Sequence, residues 1–302
     1  MLRVFFLYLS RQKQLERGLL ALPGAQRLAR QFVAGKTLAE AMAVMQQLLA
    51  EGRLATLDHL GESVVSAEQA HDATQAYREI LEAIAEQRIR CGISVKLTQL
   101  GLDVSEELCR QQLRLLVQRA QEAGSFVRVD MEGSAYTDRT LALIADLRKH
   151  YEAVGAVIQA YLYRSEGDVR RLVEQKTKVR LCKGAYNEPA SVAYPRKADV
   201  DANFLRLARL LLQSGIYHGI ATHDPRMIEG TCKAAEELEV PKAGFEFQML
   251  YGIRRDLQKQ IVEQGYRLRV YIPFGAEWFP YFMRRLAERP ANVLFAIRGL
   301  AR

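Results

Sequence analysis

The chain has 302 residues, 49% of them hydrophobic and 26% charged, with 43 Lys and Arg against 35 Asp and Glu for a net charge of +8. Such a length can bury one large core, and the composition excludes a disordered or fibrous chain. The basic excess favours anionic partners, but it is dispersed along the sequence without a Lys/Arg block, so a solvated basic surface is a plainer reading than nucleic-acid binding.

The chain opens on Val4-Phe5-Phe6-Leu7-Tyr8-Leu9, far short of the roughly 20 residues of a membrane span. Arg11 and Lys13 cut the run and no small-residue cleavage site follows, which speaks against a signal peptide. A leading helix packed on the rest of the chain is expected, and docking on a lipid headgroup layer or a partner subunit is the alternative. Gly35-Lys36-Thr37 looks like the tail of a P-loop, but the motif's first glycine would fall on Arg30 and no strand precedes it. Thr37 with Glu40 forms a capping box ahead of Leu38, Met42, Met45 and Leu49, and Gly52 supplies the C-terminal stop. Residues 1–52 are therefore expected to form an N-terminal helical extension.

From there, eight strand-like runs alternate with helical segments: 54–60, 93–97, 126–130, 156–161, 179–183, 218–222, 245–250 and 267–272. Ser66 with Gln69 and Asp224 with Pro225 open helices, while Gly124, Gly215 and Gly265 close them before the next run. Strand and helix in alternation imply parallel pairing through right-handed crossovers. Eight such units close most naturally into a (β/α)8 barrel, the fold class expected for residues 53–302, with its active site at the carboxyl ends of the strands. That placement collects Asp58, Lys96, Asp130, Gln159, Lys183, Thr222, Gln248 and Tyr271 on one rim, more polar groups than packing alone explains.

The four cysteines (Cys91, Cys109, Cys182, Cys232) show no C-x-x-C spacing and the five histidines no H-E-x-x-H. Reduced thiols in a cytoplasmic protein are expected, with no disulfide framework and no metal site. No G-x-G-x-x-G occurs, so a dinucleotide would bind without the Rossmann turn. Arg180 and Lys183 lie on one strand and its exit, with Gly184 leaving room for a phosphate against the backbone. A buried cation needs an anionic partner, which a ligand phosphate or an internal network with Asp130 or Asp58 would supply. Residues 279–288 read as a helix carrying Arg284, Arg285 and Glu288. Adjacent arginines on a helix point about 100° apart, so both reach one carboxylate only if that helix lies over the barrel mouth.

Ser94-Val95-Lys96-Leu97-Thr98, Asp130-Met131-Glu132, Gln159-Ala160-Tyr161, RLCKGAY over 180–186, Ala221-Thr222-His223, FEFQML over 245–250, RVYIP over 269–273 and Arg284-Arg285-Leu286-Ala287-Glu288 together resemble the proline dehydrogenase family. They fall in order on seven of the eight strands and the final helix, and Leu57 to Glu62 matches the family's first strand and loop. The length resembles the monofunctional bacterial enzymes, without room for a fused aldehyde dehydrogenase.

The resemblance implies a distorted barrel with noncovalent FAD that oxidises L-proline to Δ1-pyrroline-5-carboxylate. Hydride would pass to flavin N5 and the electrons to a membrane quinone, at a transient contact with the inner face of the cell membrane. A pyrroline-5-carboxylate dehydrogenase would act downstream. By the same resemblance Lys96, Arg284 and Arg285 would bind the proline carboxylate, and Tyr271 and Leu250 shape the ring pocket. Asp130 and Arg180 would stand closest to the chemistry, with Arg180 near N5. Met131, Gln159, Arg180, Lys183, Gly184, Ala185, Thr222, His223 and Glu288 would contact the flavin, and Glu62 would pair with Arg284 as a gate. Cys182 stands where the family commonly has Val, and Arg289 where Asn is common. Two other classes compete: a Schiff-base lyase using Lys183 or Lys96, and a basic scaffold binding anionic surfaces.

Overall fold

The computed structural model describes residues 31–61 and 63–288, with side chains as far as Met283. A capped helix comes first, α1 (Leu38–Ala50), followed by β1 (Leu54–His59), α2 (Ala67–Glu86), β2 (Cys91–Val95), α3 (Glu106–Glu122), β3 (Val127–Val129), α4 (Thr137–Arg148) and β4 (Val154–Gln159). The alternation continues through α5 (Ser165–Glu174), β5 (Val179–Cys182), α6 (Lys197–Gln213), β6 (Gly219–Ala221), α7 (Pro225–Glu237), β7 (Glu246–Leu250), α8 (Arg255–Glu263), β8 (Arg267–Phe274) and α9 (Trp278–Glu288). The strands form a closed barrel in sequence order, every neighbour parallel, sealed by a β1–β8 seam that runs from Leu54 opposite Arg269 to His59 opposite Phe274.

The expected (β/α)8 barrel is thus the fold, with strand limits shifted by at most two residues. β2 and β4 start two residues earlier than the apolar runs suggest, and β3 and β6 shrink to three residues each. Ladder hydrogen bonds end where a neighbouring strand diverges, which a single run does not encode.

Local chemistry sets the helix ends. The Thr37 side chain accepts from the Glu40 amide and the Glu40 carboxylate accepts from the Thr37 amide, so the Gly35-Lys36-Thr37 stretch is a helix cap. Ser66 accepts from the Gln69 amide, but the returning Gln69 side chain reaches Val65 N–H, one residue earlier than a capping box requires. Asp224 caps α7 with Pro225 in its first turn.

Within the strands, alternate side chains face opposite ways. Leu57, Ile93, Val95, Val127, Val129, Leu181, Phe247, Met249, Val270 and Ile272 belong to the main apolar core with Leu81, Leu113, Ile144, Phe204 and Leu211 from the surrounding helices. The other phase carries Asp58, Ser94, Lys96, Arg128, Asp130, Arg180, Glu246, Gln248, Arg269 and Tyr271. Because Arg180 on β5 contacts Ser94 on β2, Gln248 on β7 and Tyr271 on β8, none of them neighbouring strands, these side chains meet across the barrel interior. A barrel interior commonly fills with branched apolar side chains; this one is polar from floor to rim. A second cluster of Phe32, Val33, Leu60, Ile253, Trp278, Phe279 and Phe282 packs the start of α9 against the residues that follow β1 and β7.

Candidate active site

Asp130, just past β3, is the hub of the mouth. It accepts from Arg180 Nη1 at 2.7 Å and from the Tyr271 hydroxyl at 2.9 Å, and Lys96 Nζ lies 3.7 Å away. Lys96, leaving β2, also lies 3.5 Å from Asp58, a fully buried carboxylate at the end of β1 that accepts from the Tyr77 hydroxyl at 3.2 Å. Burial, reinforced by the charge on Asp130, holds the Tyr271 hydroxyl well above its ordinary pKa, so it stays protonated as a donor. The Arg180 guanidinium lies 5.2 Å from the centre of the Tyr271 ring, donates Nη2–H to Ser94 Oγ at 3.0 Å and donates Nε–H to the Gln248 carboxamide oxygen.

Below this layer, Gln248 Nε2 donates to Glu246 at 2.6 Å, and Arg269 grips Glu246 through Nε at 2.6 Å and Nη2 at 3.0 Å. Gly219 on β6 makes this packing possible, since a Cβ there would come within 2.3 Å of Gln248 Nε2. Arg128 completes the floor. It donates to the carbonyls of Ala156 and Lys178, lies over the Phe126 ring at 4.9 Å, and burial together with the nearby Arg180 lowers its pKa to about 9.

The exits of β5 and β6 form a second grouping. Lys183 Nζ pairs with Asp201 on α6 and, at 2.9 Å, with the α7 cap Asp224; Lys197 and Arg226 converge on the same two carboxylates. Burial opposes the charged form of Asp224, yet the Lys183 hydrogen bond overrides it and holds the carboxyl well below its usual range. Gly184 has φ +116°, and a Cβ would strike the Tyr161 ring at 2.3 Å. Only glycine therefore fits between this backbone and the Tyr161 ring. Thr222 is buried and caps the turn through Asp224 N–H, and His223 Nε2 accepts from the Leu250 amide at 2.9 Å, which ties the β6 exit to β7.

Of the remaining expected site residues, Gln159 is buried at the end of β4 with its amide on the Glu132 carbonyl, Met131 is buried beside Asp130, Leu250 ends β7 half-buried, and Ala185 is exposed after β5. The structure thus gathers Lys96, Asp130, Arg180 and Tyr271 into one contact network and sets Lys183 in a separate ion cluster nearby. Glu62 and the side chains of Arg284, Arg285 and Glu288 lie outside the described residues; the last three belong to α9, whose earlier residues Trp278 to Met283 pack with Leu60, Leu250 and Ile253. Cys182 keeps its thiol protonated, since burial pushes its pKa up to about 12.

Sequence reasoning missed the interior partners Glu246 and Arg269 and the ion partners Asp201 and Asp224. The first pair was detectable as the period-two polar phase of Glu246-Phe247-Gln248 and Arg267 to Tyr271; nothing local marks the second. Among the described residues no group of three His, Cys, Asp or Glu side chains is disposed to hold a metal. No described helix is long and apolar enough to cross a membrane.

The comparisons agree with one another. The family model described as "Proline dehydrogenase" matches residues 41–298. Proline dehydrogenase 1 of Bacillus subtilis is 43% identical over 99% of both chains, and the proline dehydrogenase of Deinococcus radiodurans is 41% identical over 90% of both. Among solved structures, proline utilization A from Bdellovibrio bacteriovorus, inactivated by N-propargylglycine, superposes with a TM-score of 0.82 at 31% identity, over 87% of this chain and 33% of that longer one. A closed barrel whose mouth clusters Lys96, Asp130, Arg180 and Tyr271, matched along nearly its whole length by these relatives, belongs to the proline dehydrogenase family.

Proposed function

We propose that this protein oxidises L-proline to Δ1-pyrroline-5-carboxylate with noncovalently bound FAD, and that a membrane quinone takes the electrons. The observation that carries the reading is the Lys96–Asp130–Arg180–Tyr271 network at the barrel mouth, combined with family membership. Lys96 is the cation to grip the substrate carboxylate, with Arg284 and Arg285 arriving from α9. A charge-assisted bond in such a dry site contributes about 1.5–3 kcal/mol. Tyr271 and Leu250 shape the wall for the apolar ring. Asp130 and Tyr271 fix the Arg180 guanidinium beside the reacting atoms, and Glu62 closes over the substrate by pairing with Arg284.

The donor set suits a flavin dinucleotide. Lys183, Lys197 and Arg226 place three cations around the two carboxylates Asp201 and Asp224, a positive excess of the kind a diphosphate neutralises. Gln159, Met131, Arg180, Gly184, Ala185, Thr222, His223 and Glu288 complete the proposed flavin contacts. The bound flavin would supply a two-electron acceptor for hydride from the ring carbon next to nitrogen. The protein's part is alignment, exclusion of water and a fixed positive charge from Arg180 that favours the reduced flavin. Reaching a quinone calls for a passing contact between a cytoplasmic protein and the inner membrane face, and the product would feed a pyrroline-5-carboxylate dehydrogenase.

A Schiff-base lyase fits the environment poorly. Lys96 and Lys183 each face two carboxylates, opposite to the apolar or cationic setting that frees a lysine lone pair. The deciding experiment is an absorption spectrum of the purified protein. Flavin bands that bleach on anaerobic addition of proline are expected, and a colourless protein, or bands indifferent to proline, would overturn the reading.

A further inference from the structure

We propose that Gln248 is a positioning residue that sets the plane of the Arg180 guanidinium, and that Glu246 beneath it fixes which way the Gln248 carboxamide faces. The inference rests on the functional reading above insofar as that reading places Arg180 beside the reacting atoms.

A guanidinium carries five N–H donors in one plane. Three acceptors on three strands hold that of Arg180: Gln248 Oε1 on β7 takes Nε–H, Asp130 Oδ1 after β3 takes Nη1–H at 2.7 Å, and Ser94 Oγ on β2 takes Nη2–H at 3.0 Å. Three contacts on separate strands define the plane and its rotation. Asp130 and Ser94 alone leave the guanidinium free to swing about the line joining its two terminal nitrogens, and the Nε contact removes that freedom.

A carboxamide fits such a slot in either of two orientations. Glu246 selects one, because its Oε1 accepts from Gln248 Nε2 at 2.6 Å and thereby turns the amide oxygen towards Arg180. Reversal would set NH2 against the Arg180 Nε–H and the amide oxygen against a carboxylate, two like-polarity contacts in place of two hydrogen bonds. Glu246 is itself immobile: Arg269 binds both its oxygens and the Tyr217 hydroxyl reaches Oε2 at 2.9 Å. Gly219 leaves the space that Gln248 fills. Orientation therefore passes upward from the barrel floor, Arg269 to Glu246 to Gln248 to Arg180, through two residues that touch neither substrate nor flavin in the proposed reading.

The test is Gln248→Met, which keeps the side-chain length and deletes both hydrogen bonds. Expected results are full flavin content, an apparent proline affinity within about threefold, and a limiting rate of flavin reduction slowed by about 10- to 100-fold. The oxidised/reduced flavin equilibrium should move about tenfold towards oxidised, a potential about 30 mV lower for a two-electron couple. A second readout needs no cofactor: in 15N-arginine-labelled protein, the Nε–H resonance missing from Arg180→Lys should exchange with solvent at least about tenfold faster in Gln248→Met. A folded Gln248→Met with wild-type reduction rate, potential and Nε–H exchange would overturn the proposal. Should that variant not fold, the wild-type protein decides, because its Arg180 Nε–H is either held by Gln248 Oε1 or free to exchange. Protected Nε–H exchange then supports the positioning role, and exchange as fast as in bulk arginine overturns it. A wild-type protein without proline-reducible flavin would sink the functional reading, and the exchange measurement would still decide the positioning claim.

Discussion

Arg269→Met is the sharpest perturbation of the barrel floor. The Arg269–Glu246 pair has side-chain exposures of 20% and 3%, and two of its hydrogen bonds run between the partners at 2.6 and 3.0 Å. Removing one partner of a buried pair costs about 3–5 kcal/mol, chiefly because the other charge is stranded. Tyr217 and Gln248 still bond Glu246 in the variant, which places the expected loss near the lower end, about 3 kcal/mol or roughly 6 °C in Tm for a chain of this size. The pH dependence identifies the cause. In the wild type, burial raises the Glu246 carboxyl and Arg269 more than offsets it, leaving its pKa below the ordinary value. Without Arg269 burial outweighs the remaining Gln248 and Tyr217 hydrogen bonds, and the folded-state pKa is expected to rise above the unfolded one. The folded variant then holds a proton that the unfolded chain releases, so its relative stability falls as pH rises from about 4.5 through the new folded value. Urea unfolding of wild type and variant should therefore show a deficit at about pH 7.5 that shrinks by about 1–3 kcal/mol at about pH 5. Glu246→Gln combined with Arg269→Met should recover more than half the loss. A deficit equal at both pH values, or one below about 1 kcal/mol, would refute the stranded-charge account.

Three further outcomes are expected. His218 accepts from Val179 N–H at 2.9 Å and meets Ser214 Oγ at 2.9 Å, and burial with Arg128 nearby lowers its pKa to about 3. The unfolded chain protonates this ring near pH 6.5 and the folded one does not, so stability falls as pH drops from about 6.5 towards 3. The fall amounts to about 2 kcal/mol by pH 5, and His218→Gln should flatten it in denaturant titrations. Lys176 follows α5 with φ +53°, a conformation glycine adopts without cost; Lys176→Gly should raise stability by about 0.5–1 kcal/mol, and a loss in thermal unfolding would refute it. Under the proposed function, Arg284→Met and Arg285→Met should each raise the KM for proline at least about tenfold with FAD still bound, and unchanged KM in both would remove them from the carboxylate site.

Much of the molecule is written locally. Eight apolar runs separated by capped helices specify a parallel barrel, because helix caps and strand alternation depend only on residues a few positions apart. The ordered motifs from Ser94 to Glu288 likewise identify the family without any knowledge of contacts, and the strand-end positions of Lys96, Asp130 and Tyr271 forecast a shared rim.

What the chain does not spell out is which of these groups touch. Arg180 meets Gln248 and Ser94 across 68 and 86 residues, and Asp130 meets Tyr271 across 141. Those pairings arise from closure of the cylinder and from the register of each ladder, properties of all eight strands at once. The same closure turns a period-two alternation, ambiguous on one strand, into a polar interior stacked from Arg269 to Lys96, and it brings Asp201 and Asp224 from two helices onto Lys183. Local chemistry chose the elements and their order; the barrel's geometry chose the partners, because distance across a closed sheet bears no relation to distance along the chain.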